Sequence, residues 1–215
     1  MIKRVVVGCL MFLVMFNAYA ALQKGDLLFQ DLACGELCDA IASTTVGYDG
    51  ISVSHIGMVS DTSSSEPMVI EAYNNGVNEL TLSSFLGRSA DKEGRPLVMV
   101  GRLKPEYQYL IPSAVAAARQ QLGQPYNSDF LPSSQGFYCA QLVYYAFKEA
   151  NQGSAFFVLS PMNFKDVHTH RYPEAWRRYF NDRRETIPQG VLGINPGAIS
   201  LDSRVEMVFS YSTVT

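Results

Sequence analysis

The sequence predicts an α+β domain in which an antiparallel sheet, or a partial barrel, packs against helices. Three observations carry that expectation. Apolar runs of strand length recur between breaks rich in Gly, Pro and Ser; two of them, Val53–Val59 and Met68–Tyr73, are joined by a Ser/Asp-rich link that reads as a hairpin. Separate segments carry helical periodicity with recognisable starts and stops. No repeat, low-complexity tract or linker divides the chain.

In chain order, Gly25-Asp26-Leu27-Leu28-Phe29-Gln30 reads as the opening strand and Glu36–Ser43 as a helix. Strands follow at Val53–Val59, Met68–Tyr73 and Leu97–Leu103. Pro112 opens a helix that runs through Leu122, with an alanine-rich interior and Gly123 as its stop. After a loop of Pro, Ser and Gly, the segment Cys139–Ala150 has one apolar helical face made of Leu142, Val143, Ala146 and Phe147. A last helix covers Pro173–Asp182. Alternation of Val205, Met207, Phe209 and Tyr211 after a Pro/Gly-punctuated tail suggests a final strand.

The ends and the composition narrow the function. Lys3 and Arg4, an uncharged run from Val5 to Phe16, and Ala18-Tyr19-Ala20 before Ala21 form the pattern of a secretory signal peptide over residues 1–20. The run is too short to anchor the chain in a bilayer, so the expectation is an exported protein, periplasmic or secreted, with no transmembrane anchor after cleavage and one domain over 21–215. Beyond residue 20, 15 Lys and Arg face 20 Asp and Glu, and no basic patch is interleaved with aromatics. A nucleic-acid partner is not expected.

Cys34, Cys38 and Cys139 are an odd set for an oxidising compartment. Cys34 and Cys38 either bridge, if a helix starts between them, or stay as buried thiols. Cys139 is the thiol left over in the first case. It stands where a Gly/Ser/Pro loop gives way to a helix, and a helix N-terminus favours the thiolate that a cysteine nucleophile needs. His55, the single imidazole in the apolar strand Ser52–Val59, is the partner expected on a facing strand. If the hairpin centres on Ser63, His55 lies opposite Glu71 and Gly57 opposite Val69, both on one face of the sheet. Glu71 is the only charged side chain in Met68–Tyr73, and burying it without a partner would be costly. Against this stands the plainer reading of a core histidine and a packed cysteine. Two other constellations are Cys34 or Cys38 as the nucleophile ahead of His55, and Asp166, His168 and His170 as alternating metal ligands on a strand.

The motifs around these residues resemble the permuted papain-like amidases of the YiiX and YaeF type, a circularly permuted branch of the NlpC-type cell-wall cysteine peptidases. The resemblance covers nearly the whole chain after residue 20. Gly25–Phe29 is similar to the opening strand, Ser54–Val59 to the histidine strand and Val69–Ala72 to the acid strand. Leu122-Gly123-Gln124-Pro125-Tyr126 resembles the segment ahead of the nucleophile, and Tyr138–Val143 the nucleophile helix, with Ala140-Gln141 where many relatives have Ser-Glu. The resemblance implies a permuted papain-like fold and an amidase or peptidase with Cys139 as nucleophile, His55 as general base and then acid, and Glu71 as the residue that orients it. It further implies Tyr126 and the Cys139 N–H as oxyanion or substrate contacts, a peptide or amide substrate, peptidoglycan-derived peptides among the candidates, and no cofactor. An acyltransferase or lipid-ester hydrolase using the same thiolate, with Phe156–Leu159 as an acyl pocket or as core, and a non-catalytic cell-envelope binding module remain the alternatives.

Overall fold

The computed structural model describes residues 22–132 and 134–212. The expected signal peptide lies outside them. Strands form where expected at β1 (Leu27–Gln30), β2 (His55–Asp61), β3 (Met68–Tyr73), β5 (Val98–Leu103) and β8 (Val205–Ser210), and three unexpected ones join them: β4 (Gly76–Thr81) and the two-residue β6 (Ser160–Pro161) and β7 (Leu192–Gly193). Six of them form one antiparallel sheet in the order β4-β3-β2-β1-β5-β8, while β6 pairs with β7. The helices are α1 (Glu36–Thr44), α2 (Leu82–Leu86), α3 (Ile111–Arg119), α4 (Cys139–Ala150), α5 (Glu174–Asp182) and α6 (Pro196–Ser200). The α3 helix begins one residue before Pro112 and ends at Arg119, short of the expected Leu122.

Side chains alternate across the sheet, and the two faces bury different things. Leu27, Phe29, Ile56, Met58 and Ile70 join the large core beneath α3 and α4, to which α4 contributes the Leu142, Val143, Ala146 and Phe147 face expected of it. Leu28, Val59, Val69, Val98 and Val100 face the other way and are covered by Phe85 of α2. Gln30, fully buried, donates from Nε2 to the Phe85 carbonyl at 2.8 Å and so fixes α2 over this second face.

The expected hairpin register is corrected by two residues. Met58 pairs with Ile70 and Val59 with Val69, in place of Gly57 with Val69, so Glu71 is not the direct partner of His55. The cause lies at the turn: the pairing resumes at Asp61 with Met68, a bulge follows between Val59 and Asp61, and the turn centres beyond Ser63. A shift of two leaves both side chains on the same face, and His55 and Glu71 become diagonal neighbours, within reach of long side chains.

Two glycines bring the loop ahead of α4 against the sheet. Gly136 has φ +80°, and a Cβ there would stand 1.9 Å from the Pro125 carbonyl oxygen; Gly76 has φ +100°, and its Cβ would stand 2.1 Å from the Gln124 oxygen. These close approaches let Val77 donate to the Gln124 carbonyl at 2.9 Å and Phe137 to the Pro125 carbonyl at 3.1 Å. Tyr126 is thereby held between the β3–β4 turn and the start of α4.

Candidate functional site

The site is assembled where β2 begins and α4 begins. His55 is the first residue of β2 and Cys139 the first of α4; both are buried, with 2% and 7% of their surface exposed. The imidazole Nε2 meets Glu71 Oε2 at 2.6 Å, and Cys139 is near enough to act on the charge of the ring. Since Nε2 is taken by the carboxylate, Nδ1 is the nitrogen left for the thiol. The ring lies edge-on to Tyr73, with centroids 5.3 Å apart, and tilted against Phe85 at 5.8 Å.

Burial alone would lower the pKa of this imidazole, because a charged ring loses its water. Interactions with Cys139 and Glu71 outweigh that, and the pKa is pushed up to about 9. Burial would in turn raise the Glu71 pKa, but His55 and then Arg88 overcome it and hold the carboxyl below its usual value. A histidine raised in the folded state from 6.5 to about 9 stabilises the fold fully below pH 6.5. That contribution fades as pH rises through about 9. Thermal melting followed against pH should therefore show a loss of stability across this window, and a His55→Gln variant should lack it; an identical alkaline decline in the variant would contradict the assignment.

Sequence reasoning did not find Arg88. It follows α2 and grips Glu71 with both guanidinium ends, Nη1 to Oε1 at 2.8 Å and Nη2 to Oε2 at 2.5 Å. Its guanidinium also lies 4.6 Å from the Tyr73 ring centre and 4.9 Å from that of Phe85. Glu71 is thus a buried carboxylate between two cations. No motif announces Arg88, because it sits in an aperiodic stretch and meets Glu71 only through the fold.

Gln141 is a second residue whose place the sequence left open. Its Oε1 accepts from Asn127 Nδ2 at 2.9 Å and from the Tyr138 backbone N–H at 3.3 Å, tying the start of α4 to the segment that follows Tyr126. Ala140 is fully buried in the core. Tyr126 itself sits beside the Cys139 sulfur; burial, and then the charge of Cys139, push its pKa well above the usual value, so its hydroxyl keeps its proton as a donor.

Two cavities meet at this point. One, of about 40 Å³, lies against Cys139 and is walled by Tyr138, Met162, Phe164, Trp176 and Ile194. The other, of about 320 Å³, is lined by His55, Tyr73, α1 side chains and Arg183. Tyr126, Phe130, Ser54 and Ile41 line both. Phe130 has φ +56°, a conformation bulky residues rarely adopt, and its ring packs against Tyr138, Trp176 and Tyr179. The partition between the cavities is therefore rigidly held.

Cys34 and Cys38 are disulfide-bonded across the start of α1, which resolves that pair and leaves Cys139 as the free thiol among the described residues. Phe156 and Phe157 are core and line neither cavity, while Val158 is exposed. Asp166, His168 and His170 are not on a strand: Asp166 Oδ1 accepts from the His168 and Thr169 backbone N–H groups and closes a surface turn. Among the described residues no group of three or more His, Cys, Asp or Glu side chains could hold a metal ion, and no helix is long and apolar enough to cross a membrane.

A family model described as permuted papain-like amidase enzyme, YaeF/YiiX, matches residues 21–207. Among solved structures the chain is similar to YiiX from Escherichia coli O157:H7, described as a metalloprotein, with 22% identity, a TM-score of 0.68, and coverage of 87% of this chain and 97% of that one. At that identity the likeness is one of fold. No curated protein matches the chain.

Proposed function

Because the chain belongs to the permuted papain-like amidase family and has its fold, we propose that it is an exported cysteine hydrolase that cleaves an amide bond through an acyl-enzyme. Cys139 is the nucleophile, His55 the proton carrier and Glu71 the residue that orients the imidazole. The observation that carries this reading is a buried imidazole that is paired with Glu71 and lies near enough to Cys139 for each to act on the other's charge. A lone core histidine has no need of a thiol at a helix start.

The chemistry follows from the protonation states. A protonated imidazole beside the sulfur, together with the positive end of α4, favours the thiolate. The thiolate adds to the carbonyl carbon, and the oxygen takes up the negative charge. The Cys139 backbone N–H, unpaired within its helix because it lies in the first turn, and the Tyr126 hydroxyl are the donors for that oxygen. As the C–N bond breaks, the imidazolium gives its proton to the departing nitrogen. Water then loses a proton to the neutral imidazole as it attacks the thioester; the C–S bond breaks and the thiolate–imidazolium pair is restored.

The acyl-side cavity of about 40 Å³ has room for roughly three water-sized groups. That suits a short side chain such as alanine's against Cys139, which supports the peptide reading. A peptidoglycan-derived peptide is accordingly the substrate class we propose. The test uses a panel of peptidoglycan fragments and N-acetyl-dipeptide amides with the protein before and after treatment with iodoacetamide. Hydrolysis is expected to disappear in step with labelling of Cys139, read by mass spectrometry. Turnover that survives complete labelling would refute the proposal.

A further inference from the structure

We propose that the groove beside His55 is a subsite for a carboxylate on the leaving-group side of the substrate, read by Arg183. The inference rests on the hydrolase reading above, because the departing amine takes its proton from His55 and must leave through the cavity that His55 lines. Among the side chains lining that groove, Arg183 and His55 are the only ones that carry a positive charge, and there is no carboxylate. The rest of the wall is apolar or neutral, including the Cys34–Cys38 bridge, Leu37 and Tyr73, with Asn74 and Ser128 as hydrogen-bonding groups.

Arg183 is held in place for such a role. It caps α5. Its guanidinium lies 3.7 Å from the centre of the Tyr179 ring, and Nη1 donates to the Tyr179 carbonyl at 3.2 Å. Tyr179 is fixed in turn by donating its hydroxyl to the Ser128 carbonyl at 2.9 Å. Among the described residues no carboxylate pairs with Arg183, unlike Arg178 one turn earlier, which pairs with Glu36 at 2.6 Å. A stacked, oriented guanidinium with donors left over, lining the same groove as the proton-carrying histidine, matches a carboxylate in charge and in fork geometry. The substrate class that follows is an amide whose amine portion is an amino acid or short peptide with a free carboxylate.

The probes are N-acetyl-alanyl-alanine and its C-terminal amide, used both as substrates and as protectants of Cys139 against iodoacetamide. The free acid is expected to protect at about a tenfold lower concentration than the amide, and Arg183→Gln to bring that ratio near one while Arg183→Lys retains part of it. Equal protection by the two probes, no protection by the acid, or a ratio unchanged in Arg183→Gln would overturn the assignment. Protection is read without turnover, so the two proposals fail distinguishably: hydrolysis without an acid preference removes this subsite alone, and an acid preference without hydrolysis removes the hydrolase reading and with it the leaving-group assignment, leaving a carboxylate-binding groove.

Discussion

Replacing Cys139 with alanine is expected to lower turnover by at least about 10⁴-fold while the chain still folds. The side chain is small and its neighbours in the core, Tyr138, Ala140 and Val143, keep their own contacts, so the vacancy costs little packing. What disappears is the only atom that can bond to the carbonyl carbon. Serine should fall nearly as far, since a hydroxyl is far harder to deprotonate than a thiol. Kinetics on the cleaved amide, beside a thermal melt of the same preparation, would check both halves of the statement. Activity above about one hundredth of wild type in the alanine variant cannot be reconciled with Cys139 as nucleophile.

Removing Glu71 should have the other large effect, on stability as much as on rate. Glu71→Ala leaves the Arg88 guanidinium and the His55 ring facing each other in a buried place without the carboxylate that both hold. Breaking one member out of a buried ion pair typically costs about 3–5 kcal/mol, and for a chain of this size that lowers the melting temperature by roughly 10 °C. Glu71→Gln keeps the shape and removes the charge, and should reduce kcat by about 10²- to 10⁴-fold because the imidazolium loses its anionic partner. Adding Arg88→Leu to Glu71→Ala should recover part of the stability by taking away the stranded cation. It should recover none of the rate. A double variant that regained activity would mean that the carboxylate serves the fold and not the imidazole.

The fate of Glu71 also shows what the sequence carries and what it does not. Strand positions, the apolar face of α4 and the start of that helix at Cys139 were legible because each is written in a local pattern: alternation, a 3.6-residue period, a loop giving way to a periodic run. The register was misjudged because it depends on turn and bulge geometry around Ser60–Ser63, which residue types there do not specify. The error was an even number of residues, so the facing side of the sheet came out right and Glu71 survived it; an odd error would have turned Glu71 away. β4 and α2 passed unnoticed, since Gly76–Thr81 alternates weakly and Leu82–Leu86 is too short to show a period. Without α2 there was nothing to suggest Arg88. The cavity walls escaped for a similar reason: Phe130, Met162, Trp176 and Ile194 come from separate segments and become neighbours only in the folded chain.

One consequence of the assembly concerns timing. His55, Glu71 and Arg88 lie within residues 55–88, in the β2–β3–β4–α2 segment, so the proton-handling half of the site can be completed by short-range closure. Cys139 arrives from a separate helix that must dock over a long loop, a contact of the kind that forms late. Until α4 docks, the sulfur has neither an imidazolium beside it nor, if the helix has not formed, a helix end behind it. Its surroundings in the site are therefore supplied by the tertiary fold and not by the local chain. Cys34 and Cys38, four positions apart, by contrast close their bridge over a far shorter loop than either would need to reach Cys139.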